Sequence, residues 1–186
     1  MLLGLKKMKP EILPMVAVIG SGAESHSEIS GPLGKWLAEN GFHLVNGGGG
    51  GVMAETARAF IEVESRKGKV IGVIPSQGSC DSAEGRAAYQ SPLGYPNAFT
   101  EIVLRTHLPD SGLHGKKISS RNHIIVLSAD VVIALPGGLG TRSEIKLALE
   151  YKKQLILFSP NREWQEFEQR AETATTLQGV IDKLNK

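Results

Sequence analysis

Three glycine-rich segments in this chain have the composition of anion-binding loops. They read GSGAES at 20–25, NGGGGGVM at 46–53 and PGGLGT at 136–141, and each follows a short apolar run and precedes a helical pattern. Glycine lets backbone N–H groups approach a ligand, and the first turn of a helix presents unpaired N–H donors with a partial positive charge. Together these groups bind phosphate or carboxylate. The alternative is that the glycines only permit tight turns from strand to helix.

The first two segments do not carry the fingerprint of a dinucleotide or triphosphate site. The motif G-x-G-x-x-G requires a third glycine where this chain has Ser25, and the second predicted strand ends in Asn46 instead of an acidic residue. No Gly-Lys-Ser/Thr follows the glycine run, so it is not a P-loop. These departures disfavour hydride transfer and nucleoside triphosphate hydrolysis. We expect the segments to contact another anion through Gly20, Ser21, Gly22, Gly48, Gly49, Gly50, Gly51 and Met53.

The third segment continues as PGGLGTRSE over 136–144 and is more specific. Thr141 and Glu144 stand three residues apart at the predicted start of a helix. This is the spacing of a capping box, in which each side chain bonds the backbone N–H of the other residue. A capping box alone does not explain why three of the four residues before Thr141 are glycines. A ligand-binding role for this segment therefore stays open beside the capping role.

An alternation of predicted strands and helices positions these segments. Apolar runs predict strands at 15–20, 42–46, 69–76, 100–108, 130–138 and 154–159. Amphipathic runs predict helices at 27–40, 52–67, 116–129 and 141–153. This order predicts an α/β fold, a single-domain, Rossmann-like, doubly wound parallel sheet flanked by helices. In such sheets ligands bind beyond the carboxyl ends of the strands, where the strand order reverses, and the three segments lie at carboxyl ends.

Length and composition set the outer limits of the interpretation. We expect one nucleotide-binding domain over 1–186, with its core at about 15–158, a long loop at 76–99 and a helical C-terminal segment at 159–186. A formal net charge of +2 argues against a nucleic-acid partner. A single cysteine excludes an intramolecular disulfide and fits a cytoplasmic protein. The apolar stretch near the N-terminus is interrupted by Glu11 and Pro14, which argues against a signal peptide, and no run is long enough to span a membrane.

The motif PGGLGTRSE matches P-G-G-x-G-T-x-x-E, the signature of the family often labelled "possible lysine decarboxylase". The glycine run GGGGGVM resembles the family's other signature, and the stretches GSG at 20–22 and SADVVIALPGG at 128–138 also look like the family. The family includes the Lonely Guy phosphoribohydrolases, which cleave cytokinin riboside 5′-monophosphates to a free base and ribose 5-phosphate. The decarboxylase label is not supported, because pyridoxal chemistry needs a Schiff-base lysine and no lysine occupies these strand ends.

The resemblance implies a set of site residues. Glu144 matches the family's catalytic glutamate and would stabilise an oxocarbenium-like state or orient the attacking water. Arg121 matches the catalytic arginine and would hold phosphate or stabilise the departing charge. The remaining implied contacts to the substrate and its phosphate are Asn122, Pro136, Gly137, Gly138, Gly140 and Thr141. No metal or cofactor is expected, since the histidines lack metal-ligand spacing.

Two features of the chain leave a second function open. Arg121 is followed by Asn122 where the family's hydrolases usually carry lysine, and the 76–99 loop is longer than expected. A related branch, the molybdenum-cofactor carrier proteins, shares the fold and binds a pterin cofactor without hydrolysing it. The expectations are therefore a phosphoribohydrolase acting on an AMP-like nucleotide or, alternatively, a non-hydrolytic nucleotide or pterin carrier. Either would be a homo-oligomer, a dimer or a tetramer, with no membrane partner.

Overall fold

A computed structural model describes residues 12–78 and 80–185 of the chain, and the N-terminal residues discussed above as a signal-peptide candidate lie partly outside this range. Within it, seven parallel strands form one sheet in the order β4-β3-β2-β1-β5-β6-β7. The strands are β1 (Met15–Ile19), β2 (His43–Asn46), β3 (Val70–Ile74), β4 (Ile102–Arg105), β5 (Val131–Ala134), β6 (Gln154–Phe158) and β7 (Glu172–Ala174). The predicted fold class, a Rossmann-like parallel α/β sheet, is confirmed.

The strand order reverses between β1 and β5. The chain builds outward from β1 through β2, β3 and β4, then returns to the other side of β1 with β5 and continues through β6 and β7. Val16 of β1 is in register with Leu44 of β2 on one side and with Val131 of β5 on the other. Because the connections leave β1 and β5 in opposite directions, a crevice opens beyond their carboxyl ends. The first and third glycine-rich segments follow these two strands.

Helices cover both faces of the sheet. They are α1 (Ser27–Glu39), α2 (Val52–Ile61), α3 (Ala83–Ala87), α4 (Asn122–Ser128), α5 (Leu139–Glu150) and α6 (Leu177–Leu184). Side chains of α1, α2 and α6 pack on one face with Val18, and those of α4 and α5 pack on the other with Ala17. Alternate residues of a buried strand point to opposite faces, so both faces of β1 are apolar, as the continuous run at 15–19 requires.

Three predicted elements differ from the structure. The helix expected at 52–67 ends at Ile61, where the Arg66 guanidinium donates hydrogen bonds to the carbonyls of Ile61 and Val63. The helix expected at 116–129 begins only at Asn122. Before it, the Ser119 hydroxyl donates to the Asp110 carboxylate and stabilises a turn. Side-chain bonds of this kind compete with the helix for the backbone.

The third difference is the C-terminal segment at 159–186, which was expected to be helical throughout. It contains α6 but contributes strand β7 as well, in which Thr173 is in register with Leu157 of β6. Within the described residues, no helix is long and apolar enough to cross a bilayer. The long loop at 76–99 is present and holds the short helix α3.

Candidate functional site

A cavity of about 350 Å³ opens at the reversal point, beyond the carboxyl ends of β1 and β5, and is called here the switch-point pocket. Val18 and Ile19 at the end of β1 form part of its wall. Its other lining residues are Gly20, Ser21, Gly22, Ala23, Gly47, Met53, Tyr95, Ser111, Gly112, Arg121, Asn122, Gly138, Gly140, Thr141 and Glu144. The structure thus brings together most of the residues predicted from the three glycine-rich segments.

The loops after β1 and β5 are joined directly. The backbone N–H of Ser21 donates to the carbonyl of Pro136 at 3.0 Å. A side chain at Gly137 would collide with the Thr141 hydroxyl and lie 2.8 Å from the Ser21 nitrogen, so this position has room only for glycine. At Gly138, by contrast, an added Cβ would meet no described atom within 4 Å. Gly137 and Pro136 therefore hold the two loops together, and Gly138 faces the open pocket.

Helix α5 presents its N-terminus to this pocket. The helix begins at Leu139 with Gly138 as N-cap, and its first backbone bond runs from Arg142 N–H to the Gly138 carbonyl. The N–H groups of Leu139, Gly140 and Thr141 precede that bond, and among the described residues no acceptor is recorded for them. The capping-box alternative is wrong, because Thr141 lies inside the helix. Three free donors and the positive end of a 12-residue helix make this a suitable seat for a phosphate.

Most of the glycine run lies beside the pocket and does not line it as predicted. Gly47 and Met53 reach the pocket, whereas the structure does not bring Gly48–Gly51 into the part of the lining that it describes. The Gly48 carbonyl accepts a bond from the Asn97 N–H at 2.7 Å, and the Gly49 carbonyl accepts one from Asn97 Nδ2 at 2.8 Å. At Gly51, with a φ of +59°, an added Cβ would collide with the Ser21 carbonyl oxygen. These glycines let neighbouring segments approach the site closely.

Arg121 lies beneath the pocket at the start of α4. Its side chain is only 4% exposed, and Nη1 donates to the carbonyl of Val73 in β3 at 2.8 Å. The guanidinium packs against the Cα of Gly47, where any side chain would overlap it. In the described part of the chain its Nε is buried without a hydrogen-bond partner, and no carboxylate lies within 4.0 Å of it. Burial lowers the pKa of Arg121, and Glu144 and Tyr95 act in the opposite direction. An arginine stays charged even so, and among the described residues Glu144 interacts with this charge only from beyond ion-pair distance.

Glu144, one turn further along α5 than Thr141, faces the same pocket. Burial raises the pKa of its carboxyl to about 7, and the charge of Arg121 opposes that rise. No hydrogen bond to this carboxyl is recorded among residues 12–78 and 80–185. A carboxyl group that is half protonated near neutral pH can either donate or accept a proton. The pair expected from the motif is therefore brought together in one cavity.

Three lining residues come from parts of the chain in which the sequence analysis placed no site residue. Tyr95 comes from the 76–99 loop and lies over the Arg121 guanidinium, with 5.6 Å between Cζ and the ring centroid. Ser111 caps and Gly112 begins a short 3-10 turn that packs on α5, where an added Cβ at Gly140 would lie 3.2 Å from the Gly112 Cα. The turn-rich composition of both segments is the only local signal. Among the described residues no group of three or more His, Cys, Asp or Glu side chains could hold a metal ion.

Comparisons with known proteins relate the chain to a family and to solved structures. The profile of the SLOG cluster4 family matches residues 13–184. An uncharacterised protein from Archaeoglobus fulgidus is 33% identical over 150 residues, which cover 80% of this chain and 82% of that protein.

Two solved structures are similar over nearly the whole chain. The molybdenum cofactor binding protein from the phototrophic bacterium Rippkaea orientalis is 27% identical with a TM-score of 0.70, covering 95% of this chain and 98% of that one. The molybdenum cofactor carrier protein from Chlamydomonas reinhardtii is 26% identical with a TM-score of 0.70, covering 94% of this chain and 100% of that one. The expected resemblance is confirmed at the level of the fold, while membership of the Lonely Guy hydrolases stays a prediction.

Proposed function

We propose that this chain, which belongs to the SLOG cluster4 family, binds a phosphorylated, ring-bearing small molecule in the switch-point pocket and carries it without turnover. The observation that carries this proposal is the buried Arg121, whose charge has no carboxylate within 4.0 Å among the described residues. A buried charge without a counter-ion is costly, and an anionic ligand would supply the missing partner. The similarity to proteins that bind or carry the molybdenum cofactor favours a phosphorylated pterin over other ligands.

The arrangement of donors supports a ligand with a phosphate at one end. The free N–H groups at the start of α5 would hold the phosphate, and the hydroxyl of the buried Thr141 lies beside them. Met53 and Ala23 supply accessible apolar surface nearby for a ring. A cavity of about 350 Å³ falls within the size range of small-molecule sites, roughly 300–1,000 Å³.

Hydrolysis of a nucleoside 5′-monophosphate, the first expectation from the motif, is the second candidate here. The observation that favours it is Glu144, a carboxyl with a pKa of about 7 facing the pocket. In that reaction water attacks the anomeric carbon, the N-glycosidic bond breaks, and the leaving base takes a proton. Glu144 would donate that proton or stabilise the oxocarbenium-like charge as a carboxylate, and Arg121 would hold the phosphate.

Calorimetric titration with AMP, ribose 5-phosphate and the molybdenum cofactor distinguishes the two candidates. We expect at least one of the ring-bearing compounds to bind and to be recovered unchanged. We expect Arg121→Met to weaken binding by tenfold to a hundredfold, since charge-assisted hydrogen bonds contribute about 1.5–3 kcal/mol. Release of free base and ribose 5-phosphate in equal amounts, abolished in Glu144→Gln, would replace the carrier function with the hydrolase. Absence of binding by all three compounds would remove both.

The expected homo-oligomer has a candidate surface on the side of the sheet covered by α4. Ile102 and Leu104 of β4 are in register with Ile71 and Val73, which pack on that side, yet they are 41% and 45% exposed. Parallel sheets are normally covered on both faces. We propose that a second copy of the chain covers the exposed face of β4 that carries Ile102 and Leu104. Light scattering should show a dimer, and Leu104→Glu should make it a monomer; an unchanged mass would place the interface elsewhere.

A further inference from the structure

The segment 91–100 at the end of the long loop returns to the switch-point pocket and is fastened to the glycine run. Asn97 donates its backbone N–H to the Gly48 carbonyl and its Nδ2 to the Gly49 carbonyl. The Oδ1 of the same side chain accepts a bond from Phe99 N–H at 3.0 Å. One asparagine thus joins two segments almost fifty residues apart in sequence. This attachment sets where the neighbouring Tyr95 lies.

The Tyr95 ring fills the space over the Arg121 guanidinium. The Arg121 Cζ is 5.6 Å from the ring centroid, within the range of a cation–π contact. Cα of Gly47 packs closely against the same guanidinium. The Tyr95 hydroxyl edge rests over Gly49, where an added Cβ would lie 2.7 Å from the phenol oxygen. The ring is therefore supported by the glycine run and in turn confines the arginine.

We propose that Tyr95 is a positioning residue for Arg121, and that the 91–100 segment is the part of the fold that prepares the pocket for an anion. The hydrogen bond to the Val73 carbonyl uses Nη1 alone. Bidentate pairing with a carboxylate would fix the orientation of a guanidinium, but in the described structure no carboxylate lies within 4.0 Å of this one. Contact with the Tyr95 ring and Gly47 takes over that role. A guanidinium held in place before binding loses little freedom when the ligand arrives.

The contacts of Arg121 and Tyr95 explain why glycines stand at positions 47 and 49. Side chains at Gly47 or Gly49 would displace Arg121 or Tyr95 respectively, because an added Cβ would lie within 2.8 Å of atoms of these groups. The glycines are therefore required by the protein's own side chains, and their effect on the ligand is indirect. Tyr95 acts in the same indirect way, through Arg121.

Binding of AMP to three variants tests the proposal, which rests on the proposed function. We expect Tyr95→Leu to bind AMP about tenfold more weakly, and Tyr95→Phe, which keeps the ring, to bind like the wild type. Leu93→Ala is the matched control from the same segment, since Leu93 is fully exposed, and it should leave affinity unchanged. A loss of affinity in Tyr95→Phe that persists in the Arg121→Met background would overturn the proposal, because the hydroxyl would then be acting on the ligand. A loss that disappears in that background would mean that Tyr95 positions Arg121 through its hydroxyl as well as its ring, since hydrogen bonding by Tyr95 also raises the pKa of Arg121.

A double-mutant cycle separates positioning from direct contact. In an Arg121→Met background, Tyr95→Leu should change the affinity for AMP less than twofold, because the group that it positions is gone. A full tenfold effect in that background would refute the proposal. Where Arg121→Met does not fold, Arg121→Lys serves as the second background, since lysine lacks the planar group that stacks on the ring.

The same cycle measured by urea unfolding needs no ligand. If Tyr95 holds Arg121, the two substitutions should shift the unfolding midpoint by less together than the sum of their separate shifts. Additive shifts would contradict the contact. If the wild type binds none of AMP, ribose 5-phosphate and the molybdenum cofactor and the unfolding cycle is still non-additive, the proposed function fails while the placement of Arg121 by Tyr95 stands.

Discussion

Glu144 should make the stability of this protein fall as the pH rises through neutrality. Burial raises the pKa of its carboxyl from the ordinary 4.5 to about 7 in the folded chain. Between these two values the folded state binds more protons than the unfolded state, so the free energy of unfolding decreases with increasing pH. The fold is more stable with the buried carboxyl protonated than with it ionised. This extra stability is fully present below about pH 4.5, and it is lost as the pH rises through about 7.

The size of the effect follows from the difference between 4.5 and about 7. At 1.36 kcal/mol for each pH unit this corresponds to about 3 kcal/mol. Because the carboxyl lines an open pocket, water reduces the penalty, and we expect about 2–3 kcal/mol between acidic and alkaline conditions. Glutamine imitates the protonated form at every pH. Glu144→Gln should therefore equal the wild type near pH 4.5 and exceed its stability by about 2–3 kcal/mol near pH 8.5.

Urea unfolding of both proteins at several pH values between about 4.5 and 8.5 measures this difference. Glu150→Gln is the matched control from the same helix. Its side chain is exposed and paired with Lys116, which lowers the pKa of the carboxyl, so its removal should not reproduce the alkaline stabilisation. If the wild type and Glu144→Gln have parallel stability profiles, Glu144 is not buried as a neutral acid and the reasoning about its environment is wrong.

Three further substitutions test the construction of the pocket. Gly137→Ala should lower the free energy of unfolding by about 2–4 kcal/mol, because the new methyl group would collide with Thr141, and it should weaken ligand binding. Gly138→Ala, which places its methyl group in open space, should cost less than about 1 kcal/mol; equal losses in thermal unfolding would contradict the packing described for these loops. Asn97→Ala removes the Nδ2 hydrogen bond to the Gly49 carbonyl and the bond that Oδ1 accepts from the Phe99 N–H, and it should cost about 1–2 kcal/mol and speed proteolysis within 76–99; an unchanged cleavage rate would mean that other contacts hold the segment.

The spacing of apolar residues along the sequence determined the architecture of this protein. Apolar runs of about five residues alternate with helical patterns, and this order favours parallel strands that are covered by helices on both faces. Parallel connections then place the glycine-rich segments at one edge of the sheet. Arg121 and Glu144 could be identified from the chain as well, since each is part of a contiguous motif. Prediction failed where side chains compete with the backbone, as Ser119 and Asp110 do before α4.

Tertiary structure alone decided what the glycine run does and which residues complete the pocket. Gly48 and Gly49 bond to Asn97, and Tyr95 lies over Arg121; these pairs are far apart in the sequence and follow no repeat. The raised pKa of Glu144 is likewise a property of burial, which the sequence around it does not express. Contacts of this kind depend on where whole elements meet, so local pattern predicts the edge of the sheet but not the fit of the side chains within it.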